Sequence, residues 1–113
     1  MKSTFLFAVT FAMFLGAGCG SVRRGEPITG VREWKDPEVR RGEVQFAMHC
    51  HQCHPGGEGG LGPGLNDKPA PGWLMKTQVR TGLGAMPSFP KEVISSEELD
   101  DLVAYLMAVR KEK

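Results

Sequence analysis

Apolar positions recur at helical spacing in three stretches of this chain. Val39, Gly42, Phe46 and Cys50 share one face. Asp36-Pro37 ahead of them is a helix start, since aspartate can cap free N–H groups and proline is tolerated at the first helical position. The pattern predicts a helix from Pro37 to His49. Trp73, Leu74 and Val79 predict a shorter helix from Gly72 to Thr81, ended by Gly82. Leu99, Leu102, Val103, Leu106 and Val109 predict a third, capped by Ser96. Its Glu97, Glu98, Asp100 and Asp101 suit a positive N-terminal end, and Arg110 and Lys111 suit the negative one. Residues 55–71 are dense in Gly and Pro, 84–93 are irregular, and no run alternates as a strand does. The expected class is all-α with three main helices. Its loops are too long for a packed domain unless something fills and orders the middle.

The N-terminus follows another pattern. Behind Met1-Lys2, Phe5 to Leu15 is almost wholly apolar, about as long as a signal-peptide core and short of the ~20 residues of a membrane-spanning helix. Gly16, Ala17, Gly18 and Cys19 follow, which resembles a bacterial lipoprotein signal whose cysteine receives the lipid. Gly16 departs from that pattern, which prefers a bulky aliphatic residue there. An ordinary cleavable signal is the competing reading, but it leaves Cys19 as an exported thiol without a role. The expected division is a signal peptide over 1–19, a tether over 20–35 and a domain over 36–113. Within the Gly-, Pro- and charge-rich tether, Trp34 either packs on the domain edge or lies at the surface. Both signal readings send the chain out of the cytoplasm. The lipoprotein reading places it on the periplasmic side of a bacterial membrane, tethered by lipid.

A chain of 113 residues with such a leader leaves a small domain, which usually needs a staple. The three cysteines offer no disulfide framework, because Cys50 and Cys53 are too close to join distant parts. The net charge of +1 lacks the basic excess of a nucleic-acid binder.

The chemistry lies in Cys50-His51-Gln52-Cys53-His54, the attachment signature for c-type haem. Two cysteines three apart on a tight turn can reach the two vinyl carbons on one porphyrin edge, and the next residue, His54, is then held beneath the ring. Its Nδ1–H needs an acceptor, as metal-bound histidines generally do, and the carbonyl of Pro63 is the candidate. A zinc cluster of Cys50, His51, Cys53 and His54 would have difficulty closing a tetrahedron within five residues. A thioredoxin-like pair would want a βαβ setting. For the second axial position, Met86 stands in the flexible Gly82-Leu83-Gly84-Ala85-Met86-Pro87. Met48 lies on the helix before the motif, Met75 and Met107 fall within helices where methionine is usually core filler, and Met1 and Met13 leave with the leader. His49 and His51 are the alternative ligands, His51 pointing away from the ring and His49 at the surface.

These residues resemble class I cytochrome c over most of Asp36 to Arg110. Gly42-x-x-x-Phe46 before the motif is similar to that family's first helix and Leu102-x-x-Tyr105-Leu106 to its last. The resemblance implies that these two helices cross closely and that the fold is that of cytochrome c around one covalent haem c. Gly62-Pro63-x-Leu65 resembles the loop whose proline carbonyl receives the axial histidine's N–H, and Gly84-Ala85-Met86-Pro87-x-Phe89 the distal-ligand loop. It implies His54 as proximal and Met86 as distal iron ligand. The function expected is electron transfer with redox partner proteins, the chain not being an enzyme on its own. The alternative is the haem subunit of a larger membrane-associated oxidoreductase.

Overall fold

The computed structural model describes residues 32–111. The signal peptide, Cys19 and most of the tether lie outside them. Among the described residues three α-helices follow in order: α1 Pro37–His49, α2 Gly72–Thr81 and α3 Ser96–Lys111. A single 3-10 turn, Pro55–Gly57, follows α1, and among the described residues the one β-type pairing is an isolated bridge between Leu83 and Met86.

The helices begin where the sequence places them, but the caps differ from expectation. Asp36 makes no side-chain cap bond, and proline at the first position is what starts α1. At α3 the cap is Ser95 rather than Ser96. Glu98 N–H donates to Ser95 Oγ at 3.1 Å, and Ser95 N–H donates to Glu98 Oε2 at 2.7 Å. This is a reciprocal capping box, and it satisfies two N–H groups that the first helical turn leaves open.

α1 packs mainly on α3. Val39, Phe46, Leu99, Leu102, Tyr105, Leu106 and Val109 form the core with Val79 of α2 and Ile94 of the preceding loop. The crossing is close because Gly42 has no side chain: a Cβ there would collide with the Asp101 carbonyl and lie 2.8 Å from Tyr105 Cβ. Beside it Arg41 donates from Nε and Nη2 to the two oxygens of the buried Asp101 at 2.7 and 2.9 Å, a planar fork matched to a carboxylate.

Trp34 takes the first of its two alternatives. Its ring packs edge-on against Tyr105 at 5.9 Å, and its carbonyl accepts from Arg40 at 2.8 Å. α2 is held to the end of α3 by Arg110, which donates to the Ala70 carbonyl at 2.8 Å and to the sulfurs of Met75 and Met107 at 3.5 and 3.8 Å.

Candidate functional site

The Cys50–His54 motif continues the last turn of α1 as a second tight turn. Cys50 N–H and His51 N–H both donate to the Phe46 carbonyl, at 2.9 and 3.0 Å, while Cys53 N–H and His54 N–H return to the Cys50 carbonyl at 3.2 and 2.9 Å. Both cysteines are free and half-buried. Burial pushes the Cys50 thiol up to about 11, and the neighbouring Cys53 adds to the shift. A redox or nucleophilic cysteine needs its thiolate stabilised, so this environment is the reverse of a thioredoxin-type pair.

His54 is buried, at 7% exposure, on the inner side of this turn. Its Nδ1 stands 2.8 Å from the Pro63 carbonyl oxygen. A carbonyl can only accept, so Nδ1 carries a proton, and in the neutral ring Nε2 is the nitrogen left with the lone pair. The Gly-rich loop reaches this position through backbone bonds: Gly62 N–H donates to the Cys53 carbonyl at 2.8 Å, and Gly57 N–H to the His54 carbonyl at 2.8 Å. Gly62 lies flat against the imidazole, where a Cβ would come within 2.8 Å of both ring nitrogens.

The loop also carries a buried polar pair that sequence reasoning missed. Asn66 Nδ2 donates to Glu58 Oε1 at 2.7 Å and to the Gly56 carbonyl at 3.0 Å, and both side chains are buried. Asn66 stands among turn-forming residues, and nothing in the local pattern marks it as internal.

Met86 is half-buried against the core in a tight turn. Leu83 N–H donates to the Met86 carbonyl at 3.1 Å, and Met86 N–H returns to Leu83 at 3.0 Å. The other candidates are placed otherwise. Met48 is 63% exposed, and the sulfurs of Met75 and Met107 face Arg110. His51 is exposed, and its Nδ1 accepts from Gly56 N–H at 3.1 Å. His49, expected at the surface, is half-buried with its ring 5.9 Å from that of Phe89. Among the described residues no three His, Cys, Asp or Glu side chains gather to hold a metal ion, so the four-ligand zinc cluster does not form.

The donor set suits a haem. Two sulfurs lie on one turn, an imidazole has its lone pair fixed at Nε2, and a thioether stands on a separate loop. The Gly-rich loop, α2 and the Met86 turn also expose large apolar side chains: Leu61 at 87%, Trp73 at 67% and Leu83 at 75%. Exposure of this degree in so small a domain fits residues that an apolar ring would shield.

The family model described as "Cytochrome C oxidase, cbb3-type, subunit III" matches residues 37–106. The chain belongs to this family of c-type cytochrome domains. A c-type cytochrome carries covalently bound haem c, and its work is electron transfer. Two curated relatives agree. The chain is 37% identical over 74 residues to the 4-cresol dehydrogenase [hydroxylating] cytochrome c subunit of Pseudomonas putida, covering 66% of this chain and 65% of that one. It is 29% identical over 86 residues to cytochrome c6 of Gloeothece citriformis (strain PCC 7424), covering 66% of this cytochrome and 77% of the relative. No solved structure matches the chain. No helix among the described residues is long and apolar enough to cross a membrane.

Proposed function

We propose that Cys50 and Cys53 bind one haem c through thioethers, that His54 Nε2 and Met86 Sδ are its axial ligands, and that the protein passes single electrons between redox proteins outside the cytoplasm. The observation that carries this reading is the 2.8 Å contact of His54 Nδ1 with the Pro63 carbonyl. It fixes the tautomer, orients the ring and raises its basicity, which is what an iron-bound histidine requires. A bound haem supplies one-electron Fe(III)/Fe(II) chemistry. His54 and Met86 would hold the iron from two separate segments, so that little of the chain would rearrange when its charge changes, and Met/His ligation would set the potential above that of a bis-histidine site.

Cys19 is the proposed lipidation site, anchoring the domain to the periplasmic face of a bacterial membrane. The support is the leader pattern of residues 5–19. Replacing Cys19 with Ser is expected to release the protein to the soluble fraction, and an equally membrane-bound variant contradicts the anchor.

The kinship to a dehydrogenase's cytochrome subunit supports a second reading, in which this domain serves a larger oxidoreductase. A stable stoichiometric partner on purification in mild detergent indicates the subunit, and a monomer the free carrier. In either case a potentiometric titration should show a single wave of one electron per chain. A protein whose visible spectrum does not change between oxidant and reductant contradicts both.

A further inference from the structure

Trp34 is where the tether joins the domain. Its ring meets Tyr105 edge-on, and its carbonyl is held by Arg40. Its indole Nε1–H is buried, yet among the described residues nothing accepts it. A buried donor left open costs more than a typical hydrogen bond gains, so such groups nearly always have an acceptor. Beside Trp34 runs an open groove of about 510 Å³, lined by Arg32, Glu33, Trp34, Arg40, Glu43 and Val44. Val44 gives it an apolar side chain that is 55% exposed. Arg32 stands over the Trp34 ring, 5.8 Å from its centroid, so the chain arrives at the groove from residue 31.

We propose that the groove seats this chain's own residues 26–31, with a backbone carbonyl of that segment accepting Trp34 Nε1–H and Ile28 covering Val44. The segment reads Glu26-Pro27-Ile28-Thr29-Gly30-Val31. Pro27 favours extended backbone, whose carbonyls have no helical partner, and Gly30 permits the turn that folds the segment back over the groove. Because the segment adjoins Arg32, docking costs the closure of a short loop rather than the association of two molecules. Docking also shortens the free tether from residues 20–33 to 20–25. At about 3.5 Å per residue, its reach falls from about 50 Å to about 20 Å. With a lipid on Cys19, the domain is then held close to the membrane. That consequence rests on the proposed anchor, whereas the docking does not.

The test is hydrogen exchange in the reduced, haem-loaded mature protein, read by mass spectrometry over residues 25–33 and by NMR at the Trp34 indole. Amides of the docked segment are expected to exchange about tenfold slower than in the same sequence as a free peptide, with the indole hydrogen slowed as well. Ile28→Asp lies outside the described domain. It should return the segment to the free-peptide rate and speed the indole, with Tm and the visible spectrum unchanged. Trp34→Phe keeps an aromatic ring against Tyr105 but removes the donor, and the slowing should fall about fivefold, as for loss of one hydrogen bond. Should Trp34→Phe fail to fold, Ile28→Asp decides alone. A segment that exchanges at the free-peptide rate in wild type overturns the docking. So does an indole hydrogen whose protection is the same in Ile28→Asp, since something other than the tether then covers it.

Discussion

His54 and Pro63 are joined by one 2.8 Å contact across nine positions of chain, and Gly62 is what lets the loop lie against the imidazole to make it. In Gly62→Ala the new methyl would stand 2.8 Å from His54 Nδ1 and Nε2, so the loop must retreat and the Pro63 carbonyl with it. Loss of such an outer partner weakens a histidine ligand about tenfold or more. Acid should therefore displace His54 from iron at a higher pH in the variant, read as an earlier loss of the low-spin spectrum. An unchanged acid transition contradicts the role given to Pro63.

The distal side has its own test. Met86→Ala should abolish the far-red ferric band, lower the potential and leave an iron position open to added cyanide or imidazole, with faster uptake than wild type. Met86 touches the core only in part, so the fold should survive the change.

Gly42→Ala tests the helix crossing rather than the haem. The added Cβ meets the Asp101 carbonyl and Tyr105 Cβ, both on α3, and neither is the movable end of a side chain. Overpacking of this kind costs about 3 kcal/mol, roughly 15 °C in Tm for a domain of this size. A melting temperature near that of wild type would show that the crossing is slack.

Glu98 gives the fold a pH dependence. Its carboxylate accepts from Ser95 N–H first, then the Ser95 hydroxyl, with His49 and Gln45 adding to the effect, and these hold it below the usual carboxylate range. A depressed folded-state pKa means stability that is present above the unfolded value of about 4.5 and lost as pH falls through the folded one. Glu98→Gln should therefore melt below wild type at neutral pH, and the gap should close in acid. A gap that persists unchanged at low pH contradicts the charge-assisted cap.

The three helices were legible because each presents a periodic apolar face, and Gly42, Phe46, Leu102 and Tyr105 meet at the crossing that the family resemblance implies. The turn at Cys50–His54 and the Pro63 contact were legible because a five-residue motif and a Gly-Pro loop carry them. Other features were not, each for its own reason. Asn66 and Glu58 are polar residues in a polar loop, and only the folded path of the chain shows them paired and buried. Arg80 is one charge near the end of a short helix, and only the folded path shows its guanidinium gathering three carbonyls of the loop before α3. The cap expected at Ser96 falls instead at Ser95, and Glu98, three residues beyond Ser95, is the sequence signal that marks it. Trp34 sits in a segment whose composition reads as a tether, and its place is decided by the ring of Tyr105, about seventy residues away in the sequence.

The account depends on a covalent bond between this polypeptide and one porphyrin. Intact mass spectrometry of the protein, exported in a host able to attach haem and denatured before injection, tests it most directly. The predicted result is the mature chain plus one haem, with Cys50 and Cys53 refusing alkylation. A chain at bare polypeptide mass with both thiols open to reagent would contradict it.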